Sequence, residues 1–264
     1  MIIFDIETGP LPDAHLGMVC GPFKPPPPPG DAFDPATVAR PKRWGDEAYQ
    51  RKVDEAREAW EKIAKAYPKA VKQAREAWLA GLRDKAALRA ETGEILAIGI
   101  DFGDDAPDEK SPLILMADSL EIRDDDDGVV TGEKALLLEF WAIVDLYSHC
   151  SWVGHNSNAF DLDFIAKRSA VHGVTYPEHL LLDGRWLASR WLDTMQRWHK
   201  VPGGGRIKLD TLAKLFGIEG KPAGVDGSMF ADLVKTDRKA AIDYLKSDLR
   251  ITREVAARMF FNDE

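Results

Sequence analysis

Residues 1–9 read MIIFDIETG, and Gly9-Pro10 closes the run. Ile2, Ile3, Phe4 and Ile6 make an apolar stretch of strand length bounded by turn residues, so a buried β-strand is expected. Within it Asp5 and Glu7 stand at i and i+2. On a strand both side chains leave one face, and Phe4 and Ile6 leave the other. Two carboxylates side by side on a half-buried sheet repel each other and lose hydration. A bound divalent cation removes both penalties. An ordinary amphipathic strand shows the same alternation, so this pair alone leaves both readings open.

Working outward, EILAIGIDFG at 94–103 and PLILMA at 112–117 read as further strands. A helix is expected at about 133–147, a strand at SWVGHN (151–156), a helix from Asp161 to about His172, and a long helix at about 237–260. Strands come first and helices alternate later, which makes the class α/β with a mixed sheet. After the strand at 151–156 comes NSNAFD, where Asp161 opens a helix. A carboxylate there is a helix cap or a ligand. Asp163 also competes as a ligand, but its neighbours suggest a solvent-facing position. Near the end, DYLKSD places Tyr244 and Asp248 at i and i+4, on one helix face.

Bulk properties narrow the class. The chain has 264 residues, 45% of them apolar, enough for a sizeable core. Mean hydropathy is −0.29. Cys20 and Cys150 are too few and too distant for a disulfide framework or a zinc site, and a reducing, cytoplasmic setting is expected. No apolar run reaches transmembrane length and no basic-then-apolar signal opens the chain, so no membrane association is expected. The net charge of −9 argues against a generic nucleic-acid coat. It is compatible with a nuclease that meets phosphate through metals and a local basic surface.

Taken in order, the three carboxylate segments resemble the DEDD superfamily of 3′–5′ exonucleases, in its tyrosine-containing branch. FDIETGP (4–10) is similar to the first motif, GHNSNAFDLDFI (154–165) to the second and YLKSD (244–248) to the third. IKLDTLAKLFGI (207–218) and LDTM (192–195) are similar to stand-alone bacterial exonucleases related to the proofreading domain of family B DNA polymerases. The resemblance implies a ribonuclease H-like fold: a five-stranded mixed sheet flanked by helices, here with a helical insertion after the first strand. It implies hydrolysis of terminal phosphodiesters to nucleoside monophosphates, with two divalent cations, Mg²⁺ or Mn²⁺, about 4 Å apart. Asp5 would bridge both ions, Glu7 and Asp248 would hold the one that activates water, and Asp161 would serve the second, directly or through water. Tyr244 would orient the attacking water. Thr8 and Leu11 correspond to positions that hold and wedge the terminal nucleotide, and Asn156 and Phe160 would line the same cleft. The bland alternatives are a turn role for Asn156 and a core role for Phe160. The expected partner is nucleic acid, foremost a single-stranded DNA 3′ end. An RNA 3′-end trimmer of the ribonuclease D kind and an inactive nucleic-acid-binding scaffold are the alternatives.

The chain departs from that pattern after the first strand. One exonuclease domain over 1–264 is expected, with a Pro-rich loop and helical arm at 24–92 inserted in it. KPPPPPG (24–30) reads as a polyproline II stretch. Residues 46–91 read as helix rich in Ala, Glu, Lys, Arg and Trp, with AREAW at 56–60 and again at 74–78. Their offset of eighteen residues is about five turns, so both copies share a face on an unbroken helix. Pro68 suggests a kink or a helical hairpin. Residues 60–91 carry eight Lys or Arg against four Asp or Glu. Lys62, Lys65, Lys69 and Lys72 fall on the face away from Trp60. They form either a solvated face or an arm that tracks single-stranded backbone. Four aspartates at 124–127 read as a solvated turn. Gly203–Gly205 with Arg206 and Lys208 reads as a flexible loop or a phosphate approach. Arg185, Trp186, Arg190, Trp191, Arg197 and Trp198 recur at helical spacing, which favours a structural role.

Overall fold

The computed structural model describes residues 1–103, 111–123, 128–183, 186–199, 205–221 and 227–260. Asp124–Asp127, Arg185, the side chain of Trp186, Gly203 and Gly204 lie outside the described residues. The strands are β1 (Ile2–Pro10), β2 (Gly93–Asp101), β3 (Leu113–Met116), β4 (Glu121–Arg123), β5 (Val129–Thr131), β6 (Trp152–Gly154), β7 (Leu182–Asp183), β8 (Trp186–Leu187) and β9 (Trp191–Asp193). The helices are α1 (Asp13–Cys20), α2 (Asp46–Ala86), α3 (Gly132–Leu146), α4 (Asp161–His172), α5 (Glu178–Leu181), α6 (Thr194–His199), α7 (Leu209–Leu215), α8 (Phe230–Thr236) and α9 (Arg238–Phe260). By its contacts the chain divides into two compact units, 1–11 with 86–264, and 12–85.

The first unit is built on a five-stranded sheet of order β3-β2-β1-β6-β9. β1, β6 and β9 run parallel, and β2 and β3 each run antiparallel to the strand before it in the sheet. This is the α/β, ribonuclease H-like arrangement with a mixed sheet flanked by helices. The two-residue period of β1 decides the layers. Ile2, Phe4 and Ile6 join the core with Leu136 and Phe140 of α3 and Leu162 and Ile165 of α4. Ile3 leaves the other face and packs with Val153, Leu249 and Ala256. Phe4 alone meets the rings of Phe140, Trp152 and Trp191, and burying such a ring contributes about 1.5–3 kcal/mol. Asp5 and Glu7 therefore point to the α9 side.

Two details bring α9 to that face. Gly99 of β2 sits opposite Asp5. A Cβ there would come within 2.8 Å of Leu249 Cδ1 and 3.0 Å of Leu245 Cγ, so a side chain at 99 would push the helix off the sheet. One step on, Glu7 pairs with Ala97 but Thr8 pairs with Ile95, leaving Leu96 as an extra residue in β2. Such a bulge re-aims side chains beside it.

Trp191 and Trp198, which helical spacing placed together, lie on different elements. Trp191 is on β9, paired with Trp152, and its Nε1 donates to the Leu180 carbonyl at 2.9 Å. Trp198 is on α6, edge-on to Phe216. Sheet pairing has overridden the local period.

In the second unit, α2 is one helix of 41 residues with Pro68 inside it. The hairpin alternative is therefore not adopted. Pro68 loses one backbone bond, but aromatic anchors hold the helix on both sides of it. Trp60 Nε1 donates to the Pro29 carbonyl at 2.8 Å, and the Tyr67 hydroxyl donates to the Pro26 carbonyl at 2.8 Å. Phe23 lies against Trp78. The register follows from two rises: three polyproline II residues span about 9 Å, and seven helical residues about 10.5 Å. Polyproline carbonyls have no internal partners, so they are available to these donors. Lys62, Lys65, Lys69 and Lys72 are all exposed.

A buried ion pair ties the first unit together. Glu133, at the start of α3, accepts from Arg168 Nη2 at 2.6 Å and from the Ile95 amide at 2.7 Å. Arg168 Nη1 also donates to the Ala90 carbonyl at 3.1 Å, and His172 Nε2 lies 2.7 Å from Glu133. Burial raises the Glu133 carboxyl, and the hydrogen bonds from His172, Arg168 and Ile95 outweigh it, so its pKa ends below the ordinary value. Removing one partner leaves a buried charge unpaired. Glu133→Ala is expected to cost about 3–5 kcal/mol in urea unfolding, and a Glu133→Leu, Arg168→Met double variant to recover most of that loss. A single variant as stable as the wild type would refute the pairing.

Candidate active site

Asp5, Glu7 and Asp248 each present a carboxylate oxygen so that the three oxygens lie within 4.8 Å of one another. The first two come from alternate positions of β1. Asp248 comes from α9, one helical turn after Tyr244, and both side chains are buried on the face turned to the sheet. Asp5 and Glu7 stand mid-way along β1, just beyond the carboxyl ends of the parallel β6 and β9, the side on which open α/β sheets place their ligands.

Asp161, the first residue of α4, approaches from β6. Its Oδ1 accepts from the Ile6 amide at 3.1 Å, between the two β1 carboxylates. It is close enough to raise the pKa of Asp5, but its oxygens stand outside the three-way cluster. Asp193 at the end of β9 organises the turn that carries Asp161. Its carboxylate accepts from the amides of Asn156 (3.0 Å), Asn158 (3.1 Å), Met195 (2.8 Å) and Gln196 (3.2 Å). Asn156 adopts φ of 64°, a left-handed conformation that Asn tolerates better than most residues. His155 bonds across the fold: Nε2 donates to the Ile207 carbonyl at 2.9 Å and Nδ1 lies 2.8 Å from Thr194 Oγ1. Burial lowers its pKa and keeps it neutral.

Part of this set borders a cleft of about 1000 Å³, while Glu7 and Asp161 lie outside its lining. Asp5, Asp248, Tyr244, Lys221 and Asn156 line it. Thr8, Leu11 and Phe160 are not in that lining. The Thr8 hydroxyl donates to the Ala87 carbonyl at 2.6 Å, the Leu11 amide donates to the Thr92 carbonyl at 2.9 Å, and Phe160 packs on the core beside Phe164. Asp163 is exposed and bonded to Lys167.

Lys221 escaped the sequence reading. Its Nζ donates to Asp248 Oδ2 at 2.6 Å and to the Tyr244 hydroxyl at 2.8 Å, and it lies 4.5 Å from the centre of the Tyr244 ring. It sits in irregular chain after Gly220, with no periodic relation to any motif, so no spacing signal marks it.

The electrostatics follow from crowding. Burial, then Asp161, Asp248 and Glu7, push the Asp5 carboxyl well above its ordinary range. Burial, then Asp248, does the same to Glu7. Asp248 is raised by burial, against the opposing pull of Lys221. Asp161 is raised from 3.8 to about 7, chiefly by burial. Burial and the three nearby carboxylates push the Tyr244 phenol far up, so it stays protonated and serves as a donor, not a base. Asp248 Oδ1 is buried with no hydrogen-bond partner among the described residues. An orphaned carboxylate oxygen beside two more, all hard donors, fits a divalent cation of the Mg²⁺ or Mn²⁺ type.

Fold and site together define an α/β protein with a carboxylate cluster suited to divalent cations. Residues 116–259 match the family model described as "Predicted 3′-5′ exonuclease related to the exonuclease domain of PolB", and the chain belongs to that family. Among solved structures, the family B DNA polymerase from the hyperthermophilic archaeon Pyrobaculum calidifontis is similar at 16% identity over 63% of this chain, with a TM-score of 0.46. The similarity covers 21% of the polymerase, so this chain spans only a small part of that protein. No curated protein matches the chain. No described helix is long and apolar enough to cross a membrane.

A carboxyl whose folded pKa exceeds its unfolded value binds protons more tightly in the folded chain. In chelator this site therefore favours folding at low pH and loses that contribution as pH rises. For Asp161 the window runs from 3.8 to about 7. A cation binds the ionised form, so the gain in melting temperature from Mg²⁺ should grow across that window. Lys221→Met should be less stable in chelator, by about 3 kcal/mol, and should gain more from Mg²⁺ than the wild type. A Mg²⁺ gain independent of both pH and Lys221 would show that the cation binds elsewhere.

Proposed function

We propose that this chain is a metal-dependent 3′–5′ exonuclease of the tyrosine-containing DEDD branch, removing nucleoside monophosphates from single-stranded DNA ends. The observation that carries the reading is the convergence of Asp5, Glu7 and Asp248 within 4.8 Å, beside Tyr244 in an open cleft. Asp5, Glu7 and Asp248 would hold the cation, with Asp161 reaching a second from the other side of β1. Divalent cations, when bound there, supply the Lewis acidity that makes water a nucleophile at neutral pH and steadies the leaving oxygen. DNA as substrate rests on the family's relation to the exonuclease domain of PolB.

The chain's own groups divide the remaining work. Tyr244 keeps its proton and is pinned between Lys221 and Asp248, so it can orient a water or a phosphate oxygen but cannot abstract a proton. Lys221 fixes that phenol from one side and offsets part of the negative charge. Asn156, on the cleft wall, would touch the terminal nucleotide. Asp161 and Asp193 hold the turn that presents it. A cleft of about 1000 Å³ suits one unpaired strand end better than a duplex.

The test uses 5′-labelled single-stranded DNA, duplex DNA and RNA with Mg²⁺, Mn²⁺ or chelator. Stepwise shortening of the single-stranded DNA with either metal, and none in chelator, is expected. Asp5→Ala should lose at least about 10³-fold in rate, because the carboxylate common to the site is gone. Tyr244→Phe should lose about 10²-fold through misplacement of the attacking water. Activity in chelator, or full activity of Asp5→Ala, would sink the mechanism. A preference for RNA would move the substrate to the other nucleic acid.

A further inference from the structure

The cleft has a second side that the carboxylate motifs do not account for. Besides Asp5 and Asp248, its lining includes Arg206, Ile207, Lys208, Asp210 and Lys214. Lys214 is paired with Asp210 at 2.6 Å, which leaves Arg206 and Lys208 as the cations on this wall with no ion-pair partner among the described residues. Both are exposed, and Ile207 between them is part-buried against the cluster of Leu212, Ile251 and Val255. All three residues border the cleft, and Ile207 also anchors the strip on that apolar cluster.

This strip is held. Its middle carbonyl, that of Ile207, accepts from His155 Nε2 at 2.9 Å. His155 adjoins Asn156 and is part-buried, and desolvation lowers its pKa, so the bond does not switch with protonation near neutral pH. Lys208 has extended backbone (φ −76°, ψ 145°) and leads into α7. Two residues along non-helical chain lie at most about 7 Å apart, comparable with successive phosphates on a stretched single strand. The chain as a whole carries −9, so two unpaired cations beside a carboxylate floor are a local reversal of charge.

We infer that Arg206 and Lys208 form a binding track for two backbone phosphates of the nucleic-acid strand, on the 5′ side of the bond at the carboxylates. The inference rests on the nuclease reading for its direction, because only a strand end at the carboxylate floor defines which phosphates reach this wall. His155 is a positioning residue for the track: it holds the backbone between the two cations.

The experiment separates the two readings. Binding of a fluorescent single-stranded oligodeoxynucleotide is measured against salt in an Asp5→Ala background, which removes cleavage. An Arg206→Glu, Lys208→Glu double variant should reduce the slope of log affinity against log salt by about 1.4, the value for two single-strand phosphate contacts. A charge-matched control, Lys134→Glu with Lys235→Glu, lies outside the cleft lining and should change the slope far less. In the otherwise unmodified enzyme, the double variant's loss of kcat/KM on the oligonucleotide should exceed its loss on the p-nitrophenyl ester of thymidine 5′-monophosphate by at least tenfold. That small diester carries no second phosphate. An unchanged salt slope, or equal losses on both substrates, would overturn the track. A wild type inert on both substrates would overturn the nuclease reading, while the salt slope would still decide whether the wall binds a strand.

Discussion

Three carboxylates held within 4.8 Å of one another, with one ammonium against them, set the terms for the rest of the molecule. Burial pushes Asp5, Glu7 and Asp248 toward protonation, and neighbouring carboxylates add to the push on Asp5 and Glu7. Such a cluster does not assemble by attraction. It is imposed by apolar packing on both faces of the sheet: Phe4 and Ile6 into the α3–α4 layer, Ile3 against Leu249. Gly99 completes the constraint. It lets Leu245 and Leu249 come down on β2, and the same helix then delivers Tyr244 and Asp248 to β1.

The molecule uses buried charge in two opposite ways. Glu133 and Arg168 are fully satisfied: two charges, an amide, a carbonyl and a histidine close the set. Asp193 is likewise saturated by four amides. These groups fix the segments around the site, the start of α3 and the turn before α4. The site carboxylates are left short of partners, down to an orphaned oxygen on Asp248. Rigid surroundings and an under-neutralised centre are what a cation site needs, because the ion then supplies charge that the protein withholds.

The parts legible in the sequence were those written in a period. Asp5 and Glu7 at a step of two, Tyr244 and Asp248 at a step of four, and Asp161 at the start of a helix all lie where periodicity puts them. The central strand and the long last helix were equally plain. The illegible parts depend on partners far along the chain. Trp191 reads as helical by spacing because nothing local reveals its pairing with Trp152. Leu96 becomes the extra residue of a bulge only once β1 lies alongside. Lys221 is in irregular chain, and its role exists only when α9 is in place. Pro68 reads as a kink or a break because nothing local reveals that the carbonyls of Pro26 and Pro29, about forty and thirty residues before Tyr67 and Trp60, hold those side chains.

Under the proposed nuclease reading, charge would also order events within the cleft. A floor of carboxylates repels a phosphate as surely as it attracts a cation. Cations on the wall would hold a strand, but they do not cancel the repulsion at the floor itself, where, among the described residues, Lys221 is the cation bonded to the acids. A phosphate can therefore sit at the floor only together with divalent charge, and that charge is better neutralised when the phosphate is present. Each ligand raises the other's affinity by the same factor, since the coupling belongs to the pair. The tyrosine fits this order. Its phenol is held protonated by the same crowding that raises the carboxyls, so it offers a neutral donor at the one place where a further negative charge would oppose the substrate.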